Sequence, residues 1–235
     1  MAEFLDVLRT EKKYRISPIT AGRIKQRLSS VLAPDENCRG GRAYIVKSLY
    51  FDSIDSRDYR EKESGVEFRR KIRLRTYGEG DIVKLEWKRK QGAKQRKQSL
   101  LLRPEDAREL MECRYSCLLK YEDELARRLY TIMSEEVYIP RCMIVYRRTA
   151  FVHPTNDIRI TIDSGISADE GRRDIFSESR FLYPVQEFGD AVLEVKYNHF
   201  LLDYIRKAIS FESLTESANS KYIAGRYFGF RGVKV

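Results

Sequence analysis

Histidine is almost missing from this chain of 235 residues: only His153 and His199 occur, and neither stands in a spacing that suggests a Ser-His or Cys-His pair. Nucleophilic hydrolysis by a triad is therefore not where the residues point. No Walker A sequence and no Gly-x-Gly-x-x-Gly is present, which removes two common phosphate cradles, and Gly78-Glu79-Gly80 reads as a hairpin turn. The four cysteines include one C-x3-C pair, Cys113 and Cys117, with no second pair at zinc spacing and no nearby histidine. They read as reduced structural thiols, consistent with a cytosolic location. No stretch approaches the roughly 20 apolar residues of a membrane span, and the N-terminus does not read as a signal peptide. A soluble, cytoplasmic chain without a transmembrane segment is expected. Repeats, low-complexity linkers and composition shifts are also missing, so residues 1–235 read as a single domain.

Charge is what the chain has in abundance. Hydrophobic residues make up 42% and charged residues 34%, a soluble globular balance, but the formal net charge is +10. That excess calls for an acidic partner: nucleic acid, an anionic membrane surface, or a phosphorylated small molecule or polymer. Its arrangement is ordered. Read as a strand of period two, residues 67–75 place Arg69, Lys71, Arg73 and Arg75 on one face and Phe68, Ile72 and Leu74 on the other. Four cations along roughly 20 Å of strand repel one another, which a sheet tolerates where the face meets water or a polyanion. The pattern recurs. Arg9, Glu11, Lys13 and Arg15 share a face; so do Lys84, Glu86, Lys88 and Lys90, opposite Val83, Leu85 and Trp87. Asp157, Arg159, Thr161 and Asp163 oppose Ile158, Ile160 and Ile162, and Glu194 and Lys196 oppose Leu193, Val195 and Tyr197. Each such strand has an apolar face to bury and a face mixing cations with a few carboxylates. Converging faces of this kind would hold a polyanion, with the carboxylates suited to a divalent metal.

Further elements follow from periodicity and punctuation. A strand over about 6–15 leads into a helix after Ser17-Pro18, with Ile24, Leu28, Val31 and Leu32 on one stripe. Residues 33–42 read as a loop, and 43–51, 67–75, 82–90 and 94–102 as an antiparallel meander. Pro104-Glu105-Asp106 opens a helix, a second covers 120–133, and strands return at 141–152, 157–163 and 191–197. Helices are expected near 199–211 and 213–224. Two groups of strands around a helical insert give an α+β fold. Tyr50, Phe51 and Trp87 read as core.

Without a protein nucleophile, the chemistry left is that of charge: cations to hold phosphates and carboxylates to hold a metal, which suffices for phosphoryl transfer. An RNA-binding module is the competing class, but Glu86 and Glu194 on the cationic faces argue against a nucleic-acid groove.

In order, Arg9-x-Glu11-x-Lys13-Tyr14, Ser48-Leu49-Tyr50-Phe51-Asp52, Lys71-Ile72-Arg73-Leu74-Arg75, Leu85-Glu86-x-Lys88, Tyr146-x-Arg148-Thr149-Ala150-Phe151, Arg159-x-Thr161-x-Asp163, Leu193-Glu194-Val195-Lys196-Tyr197 and Ser220-Lys221-Tyr222 resemble the VTC domain. This is the polyphosphate polymerase domain of the vacuolar transporter chaperone family, among the triphosphate tunnel metalloenzymes related to the CYTH proteins. The resemblance spans roughly residues 5–227. It implies an antiparallel β-barrel of about eight strands around a tunnel, with helices packed outside. It also implies transfer of the ATP γ-phosphate to a growing polyphosphate chain. Lys13, Lys62, Arg73, Arg75, Lys88, Arg148, Arg159, Lys196 and Lys221 would bind substrate, with Arg73, Arg75, Lys88 and Arg148 carrying catalysis. Glu194, with Glu11 and Glu86 as helpers, would hold Mn2+ or Mg2+. Arg159 and Asp163 stand between direct contact and a salt-bridged pair. A membrane-protein partner, and attachment at the inner face of the membrane, are permitted by the resemblance. The chain departs from the Glu-x-Glu-x-Lys signature of CYTH-type phosphatases and cyclases: residues 9–13 hold one glutamate and more positive charge. Where the family's polymerases carry a further basic residue just upstream of the Ser-Lys-Tyr lysine, residues 217–219 read Ser-Ala-Asn. Hydrolysis of a triphosphate, and binding of polyphosphate or inositol phosphates without turnover, stay open beside polymerisation.

Overall fold

The computed structural model describes residues 9–78, 82–92, 94–171, 174–177, 182–186, 190–210, 214–217 and 220–231. Among these residues ten strands and six α-helices follow one another. They are β1 (Arg9–Ile16), α1 (Pro18–Ser29), β2 (Ala33–Pro34), β3 (Tyr44–Ser53), α2 (Arg57–Glu63), β4 (Phe68–Tyr77), β5 (Val83–Gln91), β6 (Lys94–Leu102), α3 (Pro104–Met111), α4 (Glu124–Glu135), β7 (Tyr138–His153), β8 (Ile158–Asp169), β9 (Tyr183–Pro184), β10 (Ala191–Asn198), α5 (Asp203–Ile209) and α6 (Lys221–Arg231). The α+β class and the antiparallel strands are as expected, with eight strands on the main path of the sheet.

Two compact units are woven from these elements: 1–45, 146–166 and 186–219 form the first, and 46–145, 167–185 and 220–235 the second. In the first, β1, β10, β8 and β7 are neighbours in that order. Their apolar faces supply Ile16, Phe151, Ile160, Ile162, Leu193 and Val195 to a core closed by Ile24 and Leu28 of α1 and Ile205 and Ile209 of α5. The Ser17 side chain accepts the Thr20 amide at 3.2 Å, and Pro18 occupies the first turn, so α1 starts where its sequence signals place it.

In the second unit β7, β3, β4, β5 and β6 lie in that order, the last four as a meander. Leu49, Phe51, Ile72, Leu74, Leu85, Trp87 and Leu100 pack against Ala107 and Leu110 of α3 and Leu125, Leu129 and Met133 of α4. Burying one such leucine contributes about 1.5–3 kcal/mol, and the alternating pattern leaves the other sheet face to the charged residues. Asp123 caps α4 by accepting the Leu125 amide at 2.6 Å, which sets its start at Glu124 rather than 120.

Two other boundaries are corrected. The helix expected over 199–211 begins at Asp203, because His199 takes a left-handed φ of 57° that no helix continues. The helix expected over 213–224 begins at Lys221, and residues 214–217 are not helical, Glu216 forming an isolated antiparallel bridge with Tyr14. Residues 6–8 of the expected first strand, Glu79 and Gly80 of the expected turn, and Ala218 and Asn219 lie outside the described residues.

Candidate functional site

In the second unit the strand registers turn the alternating pattern into cross-strand rows. Tyr50, Arg73, Glu86 and Ser99 are direct neighbours across β3 to β6, and Ser48, Arg75 and Lys84 form the adjacent row. Arg73 donates from Nε and Nη2 to the same Glu86 oxygen at 2.7 and 2.6 Å, and from Nη1 to the Tyr50 hydroxyl at 2.8 Å. Arg75 donates to Ser48 Oγ at 2.9 Å and approaches Glu86 at 3.9 Å, while Lys97 reaches the other Glu86 oxygen at 2.5 Å. Both arginines and the glutamate are buried. Burial alone would raise the Glu86 carboxyl, but Arg73, Arg75 and Lys97 hold it well below the usual carboxylate range. Glu86 thus stays ionised in a ring of three cations and serves them as a counter-ion. Burial likewise works against ionisation of Tyr50, yet Arg73, Arg75 and Lys221 bring its phenol below the ordinary value. Next along the same face come Lys71, Lys88 and Lys97, directly opposite one another on three strands. Like charges so placed destabilise a sheet unless an anion lies over them.

Two further cations named from the sequence, Lys62 and Lys221, sit on helices anchored through Asp52. Its carboxylate accepts the Asp58 and Tyr59 amides of α2 at 2.8 and 3.0 Å, and the Tyr222 hydroxyl of α6 at 2.6 Å. Lys62 is half-buried near the end of α2, and Lys221 is the first residue of α6. Ser220, just before it, accepts from Lys71 Nζ at 2.8 Å. The Ser-Lys-Tyr segment is therefore tied to β3 and β4 at two points. Asp58 is buried beneath, accepting from the Tyr138 hydroxyl at 2.9 Å; burial and the neighbouring Asp52 push its carboxyl up to about 7.

The first unit carries a second mixed face. Across β1, β10 and β8 the rows read Glu11, Lys196, Arg159 and Lys13, Glu194, Thr161. Lys13 meets Glu11 at 2.7 Å; Lys196 meets Glu194 at 2.7 Å and Glu11 at 3.9 Å, so one ammonium bridges two carboxylates. Thr161 Oγ1 is buried beside them, with no hydrogen-bond partner among the described residues. Arg148 grips Asp163 with two bonds of 2.6 and 2.8 Å, both residues buried, and Glu194 adds to the negative field around it. Arg159 pairs with Asp35 at 2.5 Å. The expected alternative of an Arg159–Asp163 pair is not what forms. Four residues apart on one strand they stand about 13 Å from each other, and Asp163 takes Arg148 from β7 instead.

The structure thus brings Arg73, Arg75, Lys88 and Glu86 together on one face, and Glu11, Lys13, Glu194, Lys196 and Arg159 on another. A hard cation such as Mg2+ or Mn2+ takes one or two carboxylates and completes its shell with phosphate oxygens and water. Glu194 and Glu11, with the unpartnered Thr161 hydroxyl, fit that donor set; among the described residues no cluster of three or more His, Cys, Asp or Glu forms a closed metal cage. What sequence reasoning missed is the hydroxyl end of Tyr50 and the anchoring by Asp52 and Tyr222. The Tyr50 ring is buried as expected, and the β3–β4 register places it in the Arg73 row.

Among the described residues no helix is long and apolar enough to cross a membrane. Solved structures of other proteins share the fold. One is a putative adenylyl cyclase from Hippeastrum described as having a dominant triphosphatase activity, with a TM-score of 0.55, 14% identity, and coverage of 93% of this chain and 95% of that one. Another is a putative adenylate cyclase from Bacillus halodurans, with a TM-score of 0.55, 14% identity, and coverage of 94% and 98%. No curated protein matches the chain. The family model that matches is the VTC domain, over residues 8–228, and the chain belongs to that family.

Proposed function

We propose that this protein is a metal-dependent polyphosphate polymerase, transferring the γ-phosphate of ATP to the end of a polyphosphate chain and releasing ADP. The observation that carries the reading is the buried row Tyr50, Arg73, Glu86 beside Arg75 and the stacked Lys71, Lys88 and Lys97, in a VTC-family chain. A terminal phosphate oxygen of the chain attacks the γ-phosphorus. The bond from that phosphorus to the bridging oxygen breaks, and ADP leaves with the electron pair. An acceptor phosphate is already largely deprotonated at neutral pH, so no strong base is needed.

In the second unit Arg73 and Arg75 offset charge on the transferred group, their guanidinium planes held by Glu86, Tyr50 and Ser48 before substrate arrives. Lys88, Lys62 and Lys221 hold phosphate oxygens as point charges. In the first unit Arg148 is oriented by Asp163, and Lys13, Lys196 and Arg159 bind phosphate. Glu194 and Glu11 would hold Mn2+ or Mg2+, which when bound offsets phosphate charge and aligns the oxygens. Glu86 holds the arginines in place.

Hydrolysis of a triphosphate is the second reading, favoured by the triphosphatase activity named for the Hippeastrum protein. Incubation with ATP and Mn2+, following ADP, orthophosphate and long-chain polyphosphate together, separates them. Polyphosphate accumulating with ADP is expected. Orthophosphate without polymer identifies a hydrolase, and neither product identifies a binding module.

A further inference from the structure

The strand registers place a second group of cations on the opposite side of the same hairpins. Arg70, Arg89 and Arg96 are direct neighbours across β4, β5 and β6, one residue out of phase with Lys71, Lys88 and Lys97. They stand on the face that buries Leu74, Leu85, Leu100 and Trp87 against α3 and α4, away from Arg73 and Glu86.

Carboxylates satisfy Arg70 of this row but not Arg89. Arg70 pairs with Asp58 and Glu136, and Arg128 of α4 pairs with Glu124. Arg89 has no carboxylate partner among the described residues. Its guanidinium lies 3.9 Å from the Trp87 ring centroid, its Nη2 donates to the neutral Gln98 side chain, and its buried Nε finds no acceptor. Burial, then the like charges of Arg96 and Arg128, make its charged form less favourable than usual. Cations that guard an exposed strand edge would explain Arg96, since β6 ends the sheet. They do not explain Arg89, which lies on the interior strand β5.

We propose that Arg89 and Arg96, with Arg128 alongside, form a second phosphate-chain site on the helix-bearing face of the sheet, distinct from the charged face of Arg73 and Lys88. A condensed phosphate fits by its chemistry: each unit offers several oxygens around one charge, matching two guanidinium forks, one of them pre-set by stacking on an indole. The choice of phosphate chain over other polyanions rests on the polymerase reading above. The site would hold the polymer, or free triphosphate, outside the reacting face.

Trp87 is the only tryptophan in the chain, so it reports on this site directly. Its fluorescence is followed while sodium tripolyphosphate, and separately a longer polyphosphate, is titrated into the whole protein, with calorimetry alongside. A saturable change is expected in the wild type and in Arg73→Ala. Arg96→Gln, an exposed change that leaves the Trp87 stack intact, should weaken it about tenfold or more, and Arg96→Gln with Arg128→Gln further still. A steeper response to the polymer than to tripolyphosphate identifies the chain as the occupant; an equal one identifies free triphosphate, and either supports the site. An unchanged titration in the double variant overturns it, as does loss of the signal in Arg73→Ala. A response to RNA or to vesicles containing phosphatidylinositol phosphate but to neither phosphate compound also overturns it. Because the titration requires no turnover, failed polymerisation leaves this result standing, and a failed titration leaves the polymerase reading untouched.

Discussion

Tyr222 lies almost flat against Tyr50, ring centroids 4.9 Å apart and planes 20° apart, while its hydroxyl donates to Asp52. One aromatic pair therefore connects the row that holds Arg73 to the helix that begins with Lys221. Tyr222→Phe keeps the stack and removes only the hydroxyl. The lost bond to a buried carboxylate should cost about 1.5–3 kcal/mol in urea unfolding. With α6 less firmly seated, turnover should fall more than stability alone explains.

Removing the counter-ion leaves two buried guanidiniums short of negative charge. Glu86→Gln should destabilise the protein by about 3–5 kcal/mol, the range for breaking a buried pair. An added polyanion replaces part of the lost charge, so tripolyphosphate should raise the melting temperature of Glu86→Gln more than that of the wild type. Equal shifts would show that Arg73 and Arg75 do not meet the added anion.

Asp58 gives stability a pH dependence of definite sign. Its folded carboxyl stands at about 7 against an ordinary 3.8, so the folded state binds the proton more tightly than the unfolded chain. That contribution is fully present below about pH 4 and is lost as pH rises through 7, amounting to up to about 4 kcal/mol. Glu86 runs the other way, its contribution present above the usual carboxylate range and lost in acid. Asp58→Asn should flatten the decline between pH 4 and 7 in denaturant titrations, and an unchanged slope would assign it to other groups.

A β-carbon on Gly225 would come 2.5 Å from Ile144 Cδ1, 2.9 Å from Cys142 Sγ and 3.2 Å from Ala168 Cβ. Ala168 Cβ has no torsion by which to swing clear and Cys142 is buried, so the added methyl presses α6 away from these strands. Overpacking by Gly225→Ala should cost about 1–3 kcal/mol, against the roughly 1 kcal/mol an alanine normally gains over glycine in a helix, so a net loss of stability is expected in thermal unfolding.

Much of this was legible in the sequence because strand parity is a strict constraint. Once Ile72 and Leu74 must be buried, Arg73 and Arg75 have one face left, and the same holds for Glu86 and Glu194. Which cation meets which carboxylate was not legible, since that depends on the register of each strand pair and on side-chain direction, which parity does not set: Asp163 pairs with Arg148, and Glu86 with Arg73. The late start of α6 did carry a signal. Ser220 is a helix-capping residue placed directly before Lys221, and its hydroxyl lies 3.5 Å from the Ile223 amide. The Asp52 and Asp58 network left none, joining residues from four elements through a buried carboxylate pair.

The central claim is tested most directly with ATP labelled in its γ-phosphate, incubated with Mn2+ and either wild-type protein or Arg73→Ala, the products resolved by chain length. Label should enter a lengthening polyphosphate ladder in step with ADP in the wild type, and the ladder should vanish in the variant. Label released wholly as orthophosphate, or a ladder of equal strength from Arg73→Ala, would contradict it.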